Sequence, residues 1–333
     1  MQLNNSISIV ICCYNSSALL PGVLQAIAQQ KNIDPVNFEI LVINNNSSDN
    51  TKAVALEYFS LPAFKEVRCS VVDEPEPGLS AAREKGFKEA AFDYVLFCDD
   101  DNLLNPEFIA NAMQLINEKP GVDIFGSWCE GEFETPPPAW SKRMLSNLAI
   151  GRPAADSRFL QSPVNGACML VKKSSYYSLK NNAFDFLLTD RKGNVLTSGG
   201  DAELCYAILI TGGSIYFSEK LFFKHFIPTF RLQKSYFKKL YDIPAKQDYV
   251  GMMYQWVLKN GESGFGNFYR FLIFNYCKTV LWCIKQLLVT GNVFYYTSLF
   301  KQRFRFFIFS LFYAKKIKES YLVIIKLSQK LKA

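Results

Sequence analysis

Three adjacent carboxylates, Asp99, Asp100 and Asp101, follow directly after an apolar run that ends at Cys98. Neighbouring carboxylates repel one another, and the repulsion raises their pKa values unless a cation neutralises them. Oxygen ligands favour Mg²⁺ or Mn²⁺, which usually keep waters and also accept phosphate oxygens. The run therefore predicts a metal site that could bridge a diphosphate. The alternative is a cap for a helix that begins near Pro106.

Two further side chains could carry chemistry. Asp201 follows Gly200 and precedes an apolar stretch, so it could act as a general base on an acceptor hydroxyl or simply cap a helix. His225 is the only histidine, and neutral imidazole is a good ligand for Mn²⁺. A structural histidine is the alternative. Arg231, a few residues later, could add positive charge that faces a diphosphate.

The segment from Gly78 predicts a phosphate-binding turn. Gly78 allows close backbone approach, and Ser80 opens a helix whose N-terminus attracts anions. Arg83 lies on the first turns of this helix and could pair with a phosphate or with Asp99. An arginine on a helix is often only a surface residue, so this pattern is weak by itself.

The elements that must position these residues alternate in type through the first hundred residues. Short apolar runs predict buried strands, and capped segments between them predict helices. The predicted strands are Ile7–Cys13, Phe38–Ile43, Val67–Val72 and Tyr94–Cys98, and the predicted helices run from Ser16 or Ser17 to Gln30, from Ser47–Asp49 to Phe59, and from Ser80 to Ala91. This order predicts an α/β fold with a mostly parallel sheet covered by helices on both faces.

Polar residues follow each of the four predicted strands, at Tyr14-Asn15, Asn44–Asn46, Glu74 and Asp99–Asp101. Ligands of such sheets bind beyond the carboxyl ends of the strands, so these clusters predict one binding site. Later in the chain, Val164–Val171 and Ser214–Phe217 are predicted to form further strands.

The composition divides the chain into an acidic part and a basic part. The 333 residues are 49% hydrophobic and 20% charged, which is typical of a globular protein. Residues 221–333 carry 19 Lys and Arg against four Asp and Glu, although the whole chain has a net charge of only +7. The nine cysteines show no metal-binding spacing, which favours reduced thiols in a cytosolic protein, and no signal peptide is predicted.

The basic part is also aromatic and apolar. Phe271–Val289 spans 19 residues, long enough to cross a membrane, but Lys278 and Lys285 interrupt it. Each lysine would cost on the order of 2.5 kcal/mol near the middle of a span, so helices lying in the membrane interface fit better. We expect an anionic membrane surface as the partner of this region. A helical pack that covers the preceding domain is the alternative, and the absence of a nucleic-acid-binding motif argues against DNA or RNA.

In order along residues 6–240, the motifs resemble the GT-A-fold glycosyltransferases of family 2, especially bacterial enzymes of surface-polysaccharide assembly. The matching segments are Ser8–Asn15, Asn44–Asp49, Glu74 with Pro77–Arg83, Phe97–Asp101, Asn165–Ala167, Gly200-Asp201 with Glu203-Leu204, and His225–Pro228 with Arg231-Leu232. The resemblance implies a GT-A domain over residues 1–240, and the composition of the basic part predicts a helical, membrane-associating extension over residues 241–333.

The resemblance also implies roles for individual residues. Asp201 is the expected catalytic base, and Asp99, Asp101 and His225 are the expected ligands of Mn²⁺ or Mg²⁺. The residues expected to contact the nucleotide sugar are Cys13, Tyr14, Asn15, Asn44, Asn46, Glu74, Gly78, Arg83, Asp99, Asp100, Asn165, Gly166, Gly200 and Arg231. Two departures stand out: Asn44 replaces the usual Asp of the base-binding segment, and Gly200 replaces a common Glu before the base.

The implied activity is inverting transfer of a sugar from a nucleoside-diphosphate donor to a lipid-linked saccharide acceptor, in cell-surface polysaccharide synthesis. The expected location is the cytoplasm, at the inner face of the cell membrane. Two alternatives stay open at this point. One is a nucleotidyltransferase, although Cys12–Ser17 contains no glycine for a phosphate loop. The other is a membrane-associated scaffold with a glycosyltransferase-like domain that has lost activity.

Overall fold

The computed structural model describes residues 6–182, 184–188, 190–191, 199–289 and 293–330. The strands are β1 (Ile7–Cys13), β2 (Phe38–Asn45), β3 (Arg68–Glu74), β4 (Tyr94–Asp99), β5 (Asn102–Leu104), β6 (Ile124–Phe133), β7 (Arg158–Leu160), β8 (Met169–Lys172) and β9 (Ile215–Ile227). The helices are α1 (Leu20–Ala28), α2 (Thr51–Phe59), α3 (Leu79–Glu89), α4 (Phe108–Glu118), α5 (Lys173–Asn181), α6 (Gly200–Ile210), α7 (Lys234–Tyr241), α8 (Ala245–Asn260), α9 (Phe265–Val289), α10 (Val293–Phe312) and α11 (Ala314–Lys330).

The strands form a single mixed sheet in the order β3-β2-β1-β4-β8-β6-β9-β5, with β7 paired to β9. The pairs β1–β2, β1–β4, β2–β3 and β6–β9 are parallel. In contrast, β8 is antiparallel to β4 and β6, and β5 and β7 are antiparallel to β9. The expectation of a mostly parallel sheet therefore holds for β1–β4, where helical crossovers keep neighbouring strands parallel.

Three local predictions were wrong in their bounds. The strand predicted over Val164–Val171 begins only at Met169, because Cys168 has a left-handed backbone (φ 51°) that breaks the extended run. The strand predicted over Ser214–Phe217 continues to Ile227 and carries His225 within it. Neither Ser16 nor Ser17 caps α1, which begins at Leu20 without a side-chain cap.

The core occupies both faces of the sheet. Successive side chains of β1 point to opposite faces, as in any strand. Ile9 and Ile11 pack in a cluster with α1 and α4, whereas Val10 packs in a cluster with α3 and α6. On that second face Gly86 of α3 lies so close to the sheet that an added Cβ would be 2.5 Å from the Val10 side chain. The helix that carries Arg83 is thereby held tightly against β1.

The C-terminal helices pack on the second face of the sheet. Tyr254 of α8, Phe306 of α10 and Leu327 of α11 are buried in the same cluster as Val10 and Leu204. The predicted domain boundary at residue 240 falls inside α7. Among the described residues, α9 is the one helix long and apolar enough to cross a membrane by length and composition.

Candidate active site

The four polar clusters lie side by side along one edge of the sheet. In the β1–β2 register Cys13 is level with Asn44, and in the β2–β3 register Asn45 is level with Glu74. On the other side of β1, Cys12 is level with Asp99. The parallel order of β3, β2, β1 and β4 therefore brings the predicted residues of all four strand ends to one cleft.

The ends of β1 and β2 are joined by hydrogen bonds. Asn15 has a left-handed backbone (φ 53°), and its amide donates to the Ser47 hydroxyl at 3.1 Å. In return, the Ser48 amide donates to Asn15 Oδ1 at 2.8 Å. Asn46 also has a left-handed backbone (φ 52°), which asparagine tolerates better than most residues. Tyr14 is exposed beside this turn and can reach a ligand.

Asn44 has a fixed orientation. Its side-chain amide donates to Asp73 Oδ1 at 2.9 Å, and Asp73 is also paired with Lys52 at 2.5 Å. The Asn44 Oδ1 atom is buried and has no hydrogen-bond partner among the described residues. Asn44 can therefore offer an acceptor, the same function that a carboxylate would have at this position.

Asn45, which was not predicted as a site residue, holds the turn between β3 and α3. Its side-chain amide donates to the Glu76 carbonyl at 2.6 Å, and its Oδ1 accepts from the Gly78 amide at 2.8 Å. Glu74 accepts from the Glu76 amide at 2.8 Å in the same turn. Gly78 itself has a φ of 137°, which is open to glycine and strained for other residues.

The three aspartates have different surroundings. Asp101 is almost fully buried, and its Oδ2 accepts from Arg231 at 2.8 Å and lies 3.3 Å from His225 Nε2. The antiparallel β5–β9 pair sets this arrangement, since it places Asn102 level with His225. Burial alone would raise the pKa of Asp101, but His225 and Arg231 lower it to about 2. Burial alone would lower the pKa of His225, but Asp101 raises it to about 10.

The other two aspartates have raised pKa values. Burial and the negative charge of Asp101 raise the pKa of Asp99. The same two causes raise the pKa of Asp100 to about 7, although the Ser16 hydroxyl donates a hydrogen bond to it. Ser16, in the turn before α1, therefore hydrogen-bonds to the aspartate run rather than capping the helix.

The aspartate run can take part in a metal site. Asp101 Oδ1 is buried and has no hydrogen-bond partner among the described residues, and the Asp101 charge acts on the neighbouring Asp99 carboxylate. No group of three His, Cys, Asp or Glu side chains converges on one point within the described residues. Mg²⁺ commonly uses one or two carboxylates and completes its shell with waters and phosphate oxygens, which fits this pair. His225 is held against Asp101 and Arg231, and its role as a third ligand stays a prediction.

Asp201 opens α6 on the other side of the cleft. Its Oδ2 accepts from the Gly166 amide at 2.7 Å, and its Oδ1 accepts from the Ala202 amide at 2.9 Å. A Cβ added to Gly166 would lie 2.7 Å from both an Arg83 nitrogen and Asp201 Oδ2. Glycine at this position therefore lets the loop before β8 approach both Arg83 and Asp201.

Asp190, which sequence reasoning missed, completes this group. Its Oδ2 lies 3.0 Å from Arg83 Nη1, and both side chains are largely buried. Its Oδ1 accepts from the Gly200 amide at 2.9 Å. Asp190 belongs to a loop without helical or strand periodicity, so no sequence signal pointed to it.

The remaining predicted residues lie at the margins of the cleft. The Cys13 side chain is buried in the core, so its predicted contact with a nucleotide can involve only the backbone, because β1 points this side chain away from the cleft. Asn165 is exposed and donates to the Ala149 carbonyl at 3.3 Å. All nine cysteines are free thiols.

The class of protein follows from this fold and its comparisons. The family model described as "Glycosyl transferase family 2" matches residues 8–179, which is just over half of the chain. A solved structure of TarS from S. aureus, residues 1–349 in complex with UDP-GlcNAc, superposes with a TM-score of 0.50 at 14% identity and covers 98% of this chain and 89% of that one. The predicted GT-A fold is confirmed by the fold that the two chains share.

The chain belongs to glycosyltransferase family 2. Among curated proteins it is 30% identical over 171 residues to a dolichol-phosphate mannosyltransferase of Pyrococcus furiosus, which is 50% of this chain and 46% of that protein. It is 30% identical over 106 residues to a poly-beta-1,6-N-acetyl-D-glucosamine synthase of Staphylococcus epidermidis, which is 32% of this chain and 24% of that protein. The chain thus spans less than half the length of these relatives. The family excludes the nucleotidyltransferase alternative.

Proposed function

We propose that this glycosyltransferase moves a sugar from a nucleoside-diphosphate donor to a saccharide acceptor by inverting single displacement. The observation that carries the proposal is the Asp201 carboxylate, which two backbone amides hold in place beside Arg83. A carboxylate fixed in this way can take the proton of an acceptor hydroxyl as that oxygen attacks the anomeric carbon. TarS in complex with UDP-GlcNAc supports a nucleotide sugar as the donor.

In this proposal the residues at the strand ends position the donor. Tyr14, Asn15, Asn44 and Asn46 line the nucleoside end of the cleft, and the Asn44 acceptor suits an N–H group on the edge of a base. Arg83 and the start of α3 face the diphosphate and sugar. Arg231 and His225 add positive charge near Asp101. The protein mainly orients the reactants and stabilises the charge that develops on the leaving diphosphate.

Mn²⁺ or Mg²⁺ held by Asp99 and Asp101 would stabilise the negative charge of the departing nucleoside diphosphate. This role is supported by the free buried oxygen of Asp101 and by the raised pKa of Asp99. A neighbouring cation would lower the pKa of Asp99 and keep it ionised.

The test is a panel of UDP-, GDP- and dTDP-linked sugars incubated with the protein in Mn²⁺, in Mg²⁺ or in EDTA. We expect slow release of nucleoside diphosphate from one donor, which EDTA abolishes. The inactive-scaffold alternative predicts no release with any donor. Absence of both release and donor binding by calorimetry would overturn the proposed function.

We further propose that α9–α11 attach the enzyme to the inner face of the cell membrane, where a lipid-linked acceptor would be found. Residues 263–318 contain nine Lys and Arg and no Asp or Glu. One face of α9 carries the apolar side chains of Phe274, Leu281 and Leu288, which are 70%, 67% and 83% exposed. Lys278 and Lys285 lie between them on the same face and are exposed as well. Apolar and basic side chains on one face suit an anionic lipid surface.

The membrane proposal predicts that the double variant Lys278→Glu/Lys285→Glu binds anionic vesicles at least tenfold more weakly than the wild type. Each lysine near such a surface contributes about 1 kcal/mol. The measurement is co-sedimentation with phosphatidylglycerol-containing vesicles, and the matched control is Lys31→Glu/Lys65→Glu, an equal charge change at exposed residues elsewhere. Equal binding of anionic vesicles by the two double variants would contradict the proposal. So would a wild-type protein that binds neutral vesicles but not anionic ones.

A further inference from the structure

Asp190 lies at the junction of the two helices that carry the candidate chemistry. It reaches α3 through the 3.0 Å ion pair with Arg83, and it reaches α6 through the Gly200 amide at 2.9 Å. The exposed fractions of the Arg83 and Asp190 side chains are 13% and 6%. A buried ion pair of this kind fixes the guanidinium more firmly than an exposed pair would, because water does not compete for either group.

Hydrogen bonds on both sides of Asp190 connect the same loop to α6 and to α3. The Leu187 and Leu188 amides donate to the buried Glu203 carboxylate at 2.9 and 2.7 Å, and the Leu79 amide at the start of α3 donates to the Arg191 carbonyl at 3.0 Å. The described residues of this loop, Leu187, Leu188, Asp190 and Arg191, therefore bridge the first turns of α6 and α3. Within this bridge, Asp190 is the side chain that pairs with Arg83.

Asp190 also explains why residue 200 is glycine. A Cβ at Gly200 would lie 2.5 Å from Asp190 Oδ2 and 3.0 Å from Oδ1. This distance is too short for any larger residue unless the carboxylate moves. The Asp190 carboxylate thus occupies the space into which a side chain at position 200, directly before Asp201, would project.

We propose that Asp190 is a positioning residue for the transfer reaction, and the inference rests on the proposed function. It holds the Arg83 guanidinium facing the donor-binding part of the cleft. It thereby prevents Arg83 from forming a direct ion pair with Asp201. Without the Asp190 charge, Asp201 is the next carboxylate that Arg83 can pair with, since both flank Gly166. A base that is paired in this way accepts a proton less readily.

The first test is Asp190→Asn, which keeps the volume and the acceptor for the Gly200 amide but removes the charge. We expect kcat to fall about 30-fold or more, whereas the Kd for the free nucleoside changes less than twofold, because the nucleoside lacks the diphosphate that Arg83 faces and in this proposal binds at Asn15 and Asn44. A general loss of structure would instead weaken nucleotide binding and lower kcat together.

Two further variants separate positioning from folding. If Asp190 acts through Arg83, Asp190→Asn should lower kcat by less than threefold in an Arg83→Gln background, because that background already lacks the guanidinium that Asp190 positions. The double variant Asp190→Gly/Gly200→Glu returns a carboxylate to the same space from residue 200. Its kcat should be at least tenfold higher than that of Asp190→Gly.

The inference is overturned if Asp190→Asn keeps kcat within threefold of the wild type, or if its effect is the same in both Arg83 backgrounds. These outcomes require donor turnover by the wild type, so they differ from failure of the proposed function. If no donor is turned over, the double-mutant cycle of Asp190→Asn and Arg83→Gln is measured instead by the urea concentration at the midpoint of unfolding. Additive shifts would then show that Asp190 and Arg83 are not coupled and would also overturn the inference.

Discussion

Replacing Asp201 with Asn should lower kcat for sugar transfer about 10³-fold, within the range of 10²–10⁴ that general bases contribute. Asparagine has nearly the same shape and can still accept the hydrogen bond from the Gly166 amide, which measures 2.7 Å in the wild type. It cannot take a proton from the acceptor. We therefore expect loss of the chemical step with little change in the site that binds the donor.

The measurement is steady-state transfer together with calorimetric binding of the donor and thermal unfolding. Donor Kd should stay within threefold of the wild type, and the fold should stay intact. Asp185→Asn is the matched control, because the same chemical change then falls on a carboxylate that is 93% exposed. More than a tenth of wild-type kcat in Asp201→Asn would show that another group is the base.

Asp101→Asn should destabilise the protein and, if the proposed metal site is correct, sharply lower sugar transfer in Mn²⁺. Loss of the carboxylate leaves Arg231 and His225 buried without their anion, and breaking a buried pair typically costs about 3–5 kcal/mol. It also removes the free oxygen available to a metal. We expect a large loss of unfolding free energy in EDTA, measured with urea, and at least a 10²-fold loss of transfer activity in Mn²⁺.

Asp100→Asn is the matched control for stability. Burial and the charge of Asp101 raise the pKa of Asp100 to about 7, so this carboxyl is partly protonated at neutral pH already. Its amide analogue should cost less than about 1 kcal/mol in the same urea titration. Similar losses of stability in the two variants would show that Asp101 has no special part in holding His225 and Arg231.

The interaction of Asp101 with His225 also predicts how the free energy of unfolding of the metal-free protein depends on pH. The pKa of His225 is raised from 6.5 to about 10, so this group adds stability that is complete below pH 6.5 and is lost as the pH rises towards 10. The pKa of Asp101 is lowered from 3.8 to about 2, so its contribution is present above pH 3.8 and is lost below it. In Asp101→Asn, urea titrations should no longer show the fall in unfolding free energy between pH 6.5 and 10.

The first half of the fold could be predicted from the sequence because its signals are local. Apolar runs that end in Asn44 or Asp99 mark buried strands, and parallel pairing then brings their polar ends to one edge. The antiparallel strands were harder, because their register depends on distant partners. His225 shows this well: it lies within β9 beside Asn102, and neither the length of β9 nor that pairing follows from its own neighbours.

The candidate site was predictable only where residue type and position both carried a signal. Asp201 follows two glycines before an apolar stretch, so its place in the first turn of a helix could be anticipated. Asp190 lies in an irregular loop and gains its importance from Arg83, more than 100 residues earlier in the chain. The left-handed conformation of Cys168 was equally hidden, since this residue type gives no indication of a positive φ.

The shared core has a consequence for how the chain folds during synthesis. Val10 and Leu327 belong to one hydrophobic cluster, which also includes Leu204 of the helix that carries Asp201. This cluster cannot close until the chain through α11 has left the ribosome, although β1–β4 can pair much earlier. We expect the nascent chain to expose the apolar side of α6 until α8–α11 arrive, so that the helix that carries Asp201 is packed in place only after α11 has been synthesised.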